Sequence, residues 1–235
     1  MTKRIAMWSG PRNLSTAMMR SWENRPDTEV IDEPLYAWYL AATGLDHPGA
    51  DQIIDAGPAE LDQAIAACLA APKAVEVSYQ KHMAGHLLPE VDRAWLDELT
   101  NCLLLRDPRR VLASYTKVRE RVTLADIGLP QQIELASRCE IIIDSADFLT
   151  NPEAYSRLVC EAVGVDFDPA MLSWPAGRRP SDGVWATHWY ASVEKSTSFA
   201  PSPVNDVEAL SDHLVALADE ATAIYQELWA QRATI

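Results

Sequence analysis

Apolar positions fall in short continuous runs that alternate with stretches of helical spacing. Ile5 to Trp8 is an apolar run suited to a buried strand, and Ser9, Gly10 and Pro11 then turn the chain. Leu14, Ala17, Met18 and Trp22 follow on one face of a helix. Arg25-Pro26-Asp27 breaks that helix, Thr28 to Ile31 predicts a second strand, and Asp32, Glu33 and Pro34 stand at its end. A short aromatic-rich helix is expected over Leu35 to Ala42, then a loop around Asp46-His47-Pro48-Gly49. Leu61, Ile65, Cys68 and Leu69 mark a helix ending before Pro72. Ala74 to Ser78 reads as a strand leading into Tyr79-Gln80-Lys81-His82-Met83. Val91, Trp95 and Leu99 predict a helix, and Cys102 to Leu105 a strand. Asp107 as N-cap and Pro108 as first helical residue start a helix expected to reach about Val118. Residues 119–138 carry no readable period, with Pro130 breaking them. Glu140 to Ile143 is a compact strand, and the helix through Leu158, Val159 and Ala162 closes at Gly164, a natural C-cap. Residues 174–203 form a long irregular, lid-like segment, and Leu210, Leu214, Leu217, Ala221, Ile224 and Leu228 a closing helix whose apolar face packs on the core.

Strands alternating with helices predict an α/β fold with a mainly parallel sheet flanked by helices on both faces. The 235 residues are read as one such domain over residues 1–235. Ligands in these sheets bind beyond the carboxyl ends of the strands. Four polar clusters fall there: Arg12 with Ser15, Glu33, Lys81 with His82, and Arg106.

Composition narrows the chemistry. Twenty basic against thirty-four acidic residues give a net charge of −14, the wrong sign for a general nucleic-acid or anionic-membrane binder. Any anion site must therefore be a local basic pocket. Cys68, Cys102, Cys139 and Cys160 are far apart in sequence and form no metal-ligand pair, so no metal site is expected. The apolar run after Lys3 and Arg4 is too short for a signal peptide and no run approaches a membrane span, so a cytoplasmic protein is expected.

The first turn carries the clearest chemical signal. Strand, tight turn and helix in that order leave the first helical N–H groups and the positive end of the helix dipole facing the turn, which suits a phosphate. Arg12 adds a planar, permanently charged fork, and Ser15 and Thr16 add hydroxyl donors. The same residues also fit an ordinary strand-to-helix turn. Arg106 ends a strand and Ser114 lies eight residues on in the next helix, so the pair would hold a second phosphate, or Arg106 simply pairs with an acid.

Taken together these stretches resemble the sulfotransferases that use 3′-phosphoadenylyl sulfate (PAPS), over roughly residues 4–185. Ser9-Gly10-Pro11-Arg12-Asn13-Leu14-Ser15-Thr16 is similar to their 5′-phosphosulfate loop, and Leu104-Leu105-Arg106-Asp107-Pro108-Arg109-Arg110-Val111-Leu112-Ala113-Ser114-Tyr115 to their 3′-phosphate motif. Asp147-Phe148-Leu149-Thr150-Asn151-Pro152, with Leu158 and Gly164-Val165, is similar to the segment that follows. Arg178-Arg179 with Gly183 and Trp185 resembles the late basic loop over the 3′-phosphate. Leu14 stands where that family usually has Gly, Asn13 where it often has Ser, and Pro180 replaces the Gly of the late loop. The resemblance implies a P-loop-like three-layer fold, with PAPS as sulfuryl donor and a hydroxyl of a small molecule or carbohydrate as acceptor. It implies that Arg12 binds the 5′-phosphate and the oxygen bridging it to sulfur, with Lys81 reaching the same region. Glu33 is the first choice for the base and His82 the second, although Glu33 also fits a cap or an ion-pair partner of Arg12 and His82 a surface or structural residue. His86 and His188 are left as bystanders, and Trp185, Trp189 and Tyr190 either close over the acceptor or simply anchor their segment.

Two rivals remain open on sequence grounds. A nucleotide kinase or other P-loop phosphotransferase would bind ATP with magnesium, although a Walker loop needs Gly at the position of Leu14 and Lys at that of Ser15. A non-catalytic nucleotide-binding protein of the same fold would bind the adenosine bisphosphate without turnover.

Overall fold

A computed structural model describes residues 2–70, 75–115, 122–200 and 210–235. Strand β1 (Lys3–Ser9) leads into helix α1 (Ser15–Glu23), followed by β2 (Thr28–Asp32), α2 (Tyr36–Thr43), α3 (Ala50–Ala56), α4 (Leu61–Leu69) and β3 (Val77–Met83). The chain continues through β4 (Thr100–Leu105), α5 (Pro108–Tyr115), α6 (Leu129–Ala136), β5 (Cys139–Asp144), α7 (Ser145–Thr150) and α8 (Pro152–Val163), then α9 (Ala186–Trp189) and α10 (Asp212–Trp229).

The five strands pair in the order β2-β3-β1-β4-β5, and every pairing is parallel. Residues alternate between the sheet's two faces. Ile5 and Met7 join Val77, Tyr79, Cys102 and Leu104 in a core with Met18, Met19 and Trp22 of α1 and Tyr155, Val159 and Val163 of α8. Ala6 and Trp8 join Leu103, Leu105 and Ile142 on the other face, against Cys68 of α4, Leu135 of α6 and Leu228 of α10. Helices thus cover both faces of a sheet whose interior strands read as near-continuous apolar runs, the pattern of a buried parallel sheet.

Local differences from the sequence reading have physical causes. The helix expected through Val91, Trp95 and Leu99 is only a short 3-10 turn, Ala94–Glu98. Those three apolar residues are buried, so burial rather than helical period spaced them. Pro130 does not break the chain. It occupies the first turn of α6, where its missing N–H costs nothing. Strand β3 runs to Met83 rather than ending at Ser78. The far end of the helix expected to reach Val118, the start of the strand expected from Ala74, and positions 201–203 of the irregular segment lie outside the described residues. Within that segment α9 and a 3-10 turn at Val193–Lys195 do form. No helix among the described residues is long and apolar enough to cross a membrane.

Candidate active site

Strand β1 sits at the centre of the sheet, and the connections leave it toward β3 and β2 on one side and toward β4 and β5 on the other. A crevice opens beyond the carboxyl ends of strands at such a reversal. Here it is a cleft of about 810 Å³. The ends of β1 and β4 supply Pro11, Arg12, Asn13, Ser15, Thr16, Arg106 and Ser114 to its lining, and the ends of β2 and β3 supply Glu33 and Lys81.

At the β1–β4 end the two stretches expected to bind phosphate touch. Arg12 adopts a positive φ of 56° and its Nε donates to Ser114 Oγ at 2.9 Å, while the Arg106 guanidinium donates to the Arg12 carbonyl oxygen. Asn13 fastens the turn to the sheet: its Nδ2 donates to the Leu104 carbonyl at 2.8 Å and its Oδ1 accepts from Leu14 N–H at 2.7 Å. Gly10 lies behind the cleft, not on its wall. A Cβ there would stand 2.7 Å from the Ile127 carbonyl oxygen, so only glycine lets the turn pass that close. Leu14, Ser15, Thr16 and Ala17 bring the first turn of α1 to the cleft wall, with the helix's positive end facing in. Burial and then the charges of Arg110 and Arg12 press the Arg106 pKa down, so this end is a cationic concavity suited to anionic oxygens.

At the β2–β3 end a buried ionic network holds Lys81. Its Nζ donates to Asp32 Oδ1 at 3.0 Å, to Tyr190 OH at 2.8 Å and to Glu33. Tyr190 OH in turn donates to Asp32 at 2.8 Å, and Trp185 Nε1 donates to Tyr190 OH at 3.3 Å. Pairing fixes this cluster, because Asp32 and Lys81 are register partners on adjacent parallel strands. Glu33, at φ 42°, hangs on the Lys81 carbonyl through its own N–H at 2.9 Å. Burial opposes the ammonium charge, but Asp32 and then Glu33 outweigh it and raise the Lys81 pKa well above the ordinary value. Burial raises the Glu33 pKa, Lys81 opposes that shift, and Asp32 adds to it, leaving the carboxyl above the usual range.

His82 is not part of this cluster. Its strand neighbour Lys81 faces the cleft, so period-2 alternation turns His82 to the opposite face. There it stacks on Trp8 with centroids 4.1 Å apart, and its Nε2 lies 3.0 Å from Gln80 Oε1. Burial, with the charge of Lys81 second, holds its pKa down to about 3, so it is a neutral core group. Arg178 and Arg179 do not reach the cleft either. Arg179 lies 3.9 Å from Glu23 at the last residue of α1, about 12 Å along that helix from the phosphate turn, and Arg178 is exposed. That loop is instead a strap. Arg20, fully buried, pairs with Asp182 at 2.6 Å, and Gly183 N–H donates to Asp32 Oδ2 at 3.2 Å. Trp189 and Tyr190 border the cleft, whereas Trp185 is buried behind Tyr190.

The sequence pattern marks Asp32 only as a strand end, although its place opposite Lys81 makes it the buried counter-ion. His86, a bystander by sequence, borders the cleft beside Tyr36, with ring centroids 4.8 Å apart.

Comparison with known proteins agrees with this architecture. A family model for a sulfotransferase domain matches residues 3–230. Two curated proteins of Arabidopsis thaliana, branched-chain-amino-acid aminotransferase-like proteins 2 and 1, are 33% and 34% identical over 202 residues, or 83% of this chain. The chain spans only 36% of the length of either. Among solved structures, the sulfotransferase domain of the Synechococcus PCC 7002 olefin synthase is 18% identical with a TM-score of 0.58, covering 99% of this chain and 97% of its own. The sulfotransferase domain from the curacin biosynthetic pathway is 14% identical with a TM-score of 0.53, covering 100% and 99%. A sulfotransferase from Alicyclobacillus acidocaldarius is 11% identical, also at 0.53, covering 99% and 98%. These structures establish the fold as the P-loop-like three-layer architecture, and the family model, running almost end to end, places this chain in the sulfotransferase domain family.

Proposed function

We propose that the chain moves a sulfuryl group from PAPS to a hydroxyl of a small-molecule or carbohydrate acceptor. One observation carries the reading: Arg12 and Arg106, one from each phosphate motif, open into a single cleft that also holds Lys81 and Glu33. The residues present suit this cofactor chemically, since the β1–β4 end of the cleft offers guanidinium, hydroxyl and helix N–H groups and the β2–β3 end the Glu33 carboxylate beside the Lys81 ammonium. When bound, PAPS supplies an activated sulfuryl group joined to the 5′-phosphate through a bridging oxygen.

In this reading Arg12, Ser15, Thr16 and the first turn of α1 hold the 5′ end. Arg106 and Ser114 would hold the 3′-phosphate. Lys81 stays cationic through Asp32 and so offers a fixed positive charge where negative charge grows during transfer. Glu33 takes the acceptor's hydroxyl proton. Its raised pKa makes it a better base than an ordinary surface carboxylate. Alignment and charge stabilisation carry the reaction, with little covalent work for the protein.

The test is transfer of labelled sulfate from PAPS across pools of hydroxylated compounds. Label in any pool, lost in Arg106→Ala, supports the reading. A folded protein that binds 3′,5′-adenosine bisphosphate yet labels no pool would favour a binding protein without turnover.

A further inference from the structure

Residues 173–198 close on themselves. Ser173 and Ser198 form an antiparallel bridge, Trp174 N–H donates to the Thr197 carbonyl at 2.9 Å, and Gly177 N–H donates to the Glu194 carbonyl at 2.7 Å. Two further points fasten the segment to the rest of the molecule: the buried Arg20–Asp182 pair and the Gly183 N–H on Asp32. Tyr190 is the residue that this anchored segment delivers to the ionic network around Lys81.

Counting protons fixes the direction of each bond there. An ammonium has three N–H donors, and those of Lys81 go to Asp32, Glu33 and Tyr190 OH. Burial raises the Tyr190 pKa well above the ordinary value, so it stays a neutral phenol with one proton. That proton goes to Asp32, 2.8 Å away, and toward Lys81 and Trp185 Nε1 the oxygen only accepts. Asp32 thus accepts from Lys81, Tyr190 and Gly183, whereas Glu33 accepts from Lys81 alone among the described residues. The titratable groups facing Glu33 are Asp32 beside it, Lys81 of β3, Tyr36 of α2 and Tyr190. Two carboxylates share one cation, and whatever donates to Asp32 decides how much of that cation reaches Glu33.

We propose that Tyr190 is a positioning residue: its hydroxyl, set in place by residues 173–198, donates to Asp32 and so leaves the Lys81 ammonium to Glu33, the group that takes the acceptor's proton. The role of Glu33 as base rests on the sulfotransferase reading, but the division of the cation between two carboxylates does not. Without the hydroxyl, Asp32 loses a donor and takes a larger share of Lys81, and its less shielded charge bears on Glu33. Both effects make Glu33 harder to ionise. A stronger donor at the same place acts in the opposite sense.

Carbon-13 NMR of the full chain, labelled at the glutamate carboxyls, tests this by following the Glu33 titration, with Glu33→Gln identifying its resonance. Tyr190→Phe keeps the ring and removes the hydroxyl, and the Glu33 midpoint should rise by about half a pH unit or more. 3-Fluorotyrosine placed at position 190, a stronger donor and weaker acceptor of nearly the same size, should lower the midpoint. A packing role for Tyr190 would leave the midpoint in place or move it the same way in both proteins. An unmoved or lowered midpoint in Tyr190→Phe, or one not lowered by the fluorotyrosine, overturns the proposal. If Tyr190→Phe fails to fold, the fluorotyrosine protein decides alone. The titration needs neither nucleotide nor acceptor, so absence of sulfate transfer from PAPS would overturn the sulfotransferase reading and leave this result standing. An unmoved Glu33 would in turn leave that reading intact.

Discussion

Lys81 shows how a charge can be buried at the floor of a cleft. Its ammonium sits between two carboxylates and a phenol, and its side chain is only 2% exposed. Removing it leaves Asp32 and Glu33 facing each other without a cation, and breaking a buried pair this way costs about 3–5 kcal/mol. Lys81→Met is therefore expected to lower stability by about 3 kcal/mol in urea unfolding and to abolish transfer well below its melting temperature. A variant as stable as the unaltered chain would mean that Lys81 is solvated rather than paired. Glu33 gives the complementary test. Its pKa is raised, so the base form appears only as pH climbs through that raised value. The acid limb of the pH–rate profile should then lie above the ordinary carboxylate range. Glu33→Gln should remove that limb and lower turnover by about 10²–10⁴-fold, with little change in nucleotide affinity. Normal turnover in Glu33→Gln would take the base role away from it.

At the scale of elements, strand β3 decides which polar residues can work together. Because it continues to Met83, Lys81 and His82 point to opposite faces, and only Lys81 meets the cleft. His82 becomes a reporter of folding instead. Its pKa is held to about 3 in the folded chain against about 6.5 when unfolded. Between these values the unfolded state binds a proton that the folded state refuses, so stability falls as pH drops from 6.5 toward 3. Going from pH 7.5 to 5.5 should cost about 1.4 kcal/mol through His82 alone. His82→Phe, which can keep the stack on Trp8, should lose that part of the dependence in urea unfolding. Identical pH dependence in the two proteins would mean that His82 titrates normally.

The same element explains what was legible in the sequence. The β1 turn and start of α1, and the segment from β4 into α5, were readable because apolar runs, a turn and a proline-led helix are local signals. Asp107–Pro108 began a helix where expected, and Gly164 closed one in the left-handed conformation. The end of β3 was not readable, because Lys81 and His82 are polar and their burial comes from register with Asp32 and Trp8 on other strands. Arg179 resembled a phosphate ligand by sequence order, but its contact with Glu23 is a tertiary fact that no local pattern carries.

Over the whole molecule, the charge balance sharpens what the cleft must do. The chain carries −14, so under the proposed function a polyanionic nucleotide would approach against the overall field and would be held only by local donors. Arg12, Arg106 and the start of α1 gather those donors at one end of the cleft, where the central strand and its neighbour finish. On the proposed reading, a ligand with two separated phosphates on one nucleoside would engage both motifs together. A triphosphate presents its phosphates in a row and engages mainly the first. 3′,5′-Adenosine bisphosphate at a hundredfold excess over its Kd should thus stabilise the chain by about 2.7 kcal/mol, read as a rise in melting temperature. ATP with magnesium at the same concentration should give a markedly smaller rise. Arg106→Ala removes charged hydrogen bonds worth about 1.5–3 kcal/mol each and should erase most of the bisphosphate effect, read as the shift relative to the free variant's own melting temperature. An equal or larger response to ATP with magnesium would instead favour a phosphotransferase, and a bisphosphate response indifferent to Arg106→Ala would separate the second motif from the nucleotide altogether.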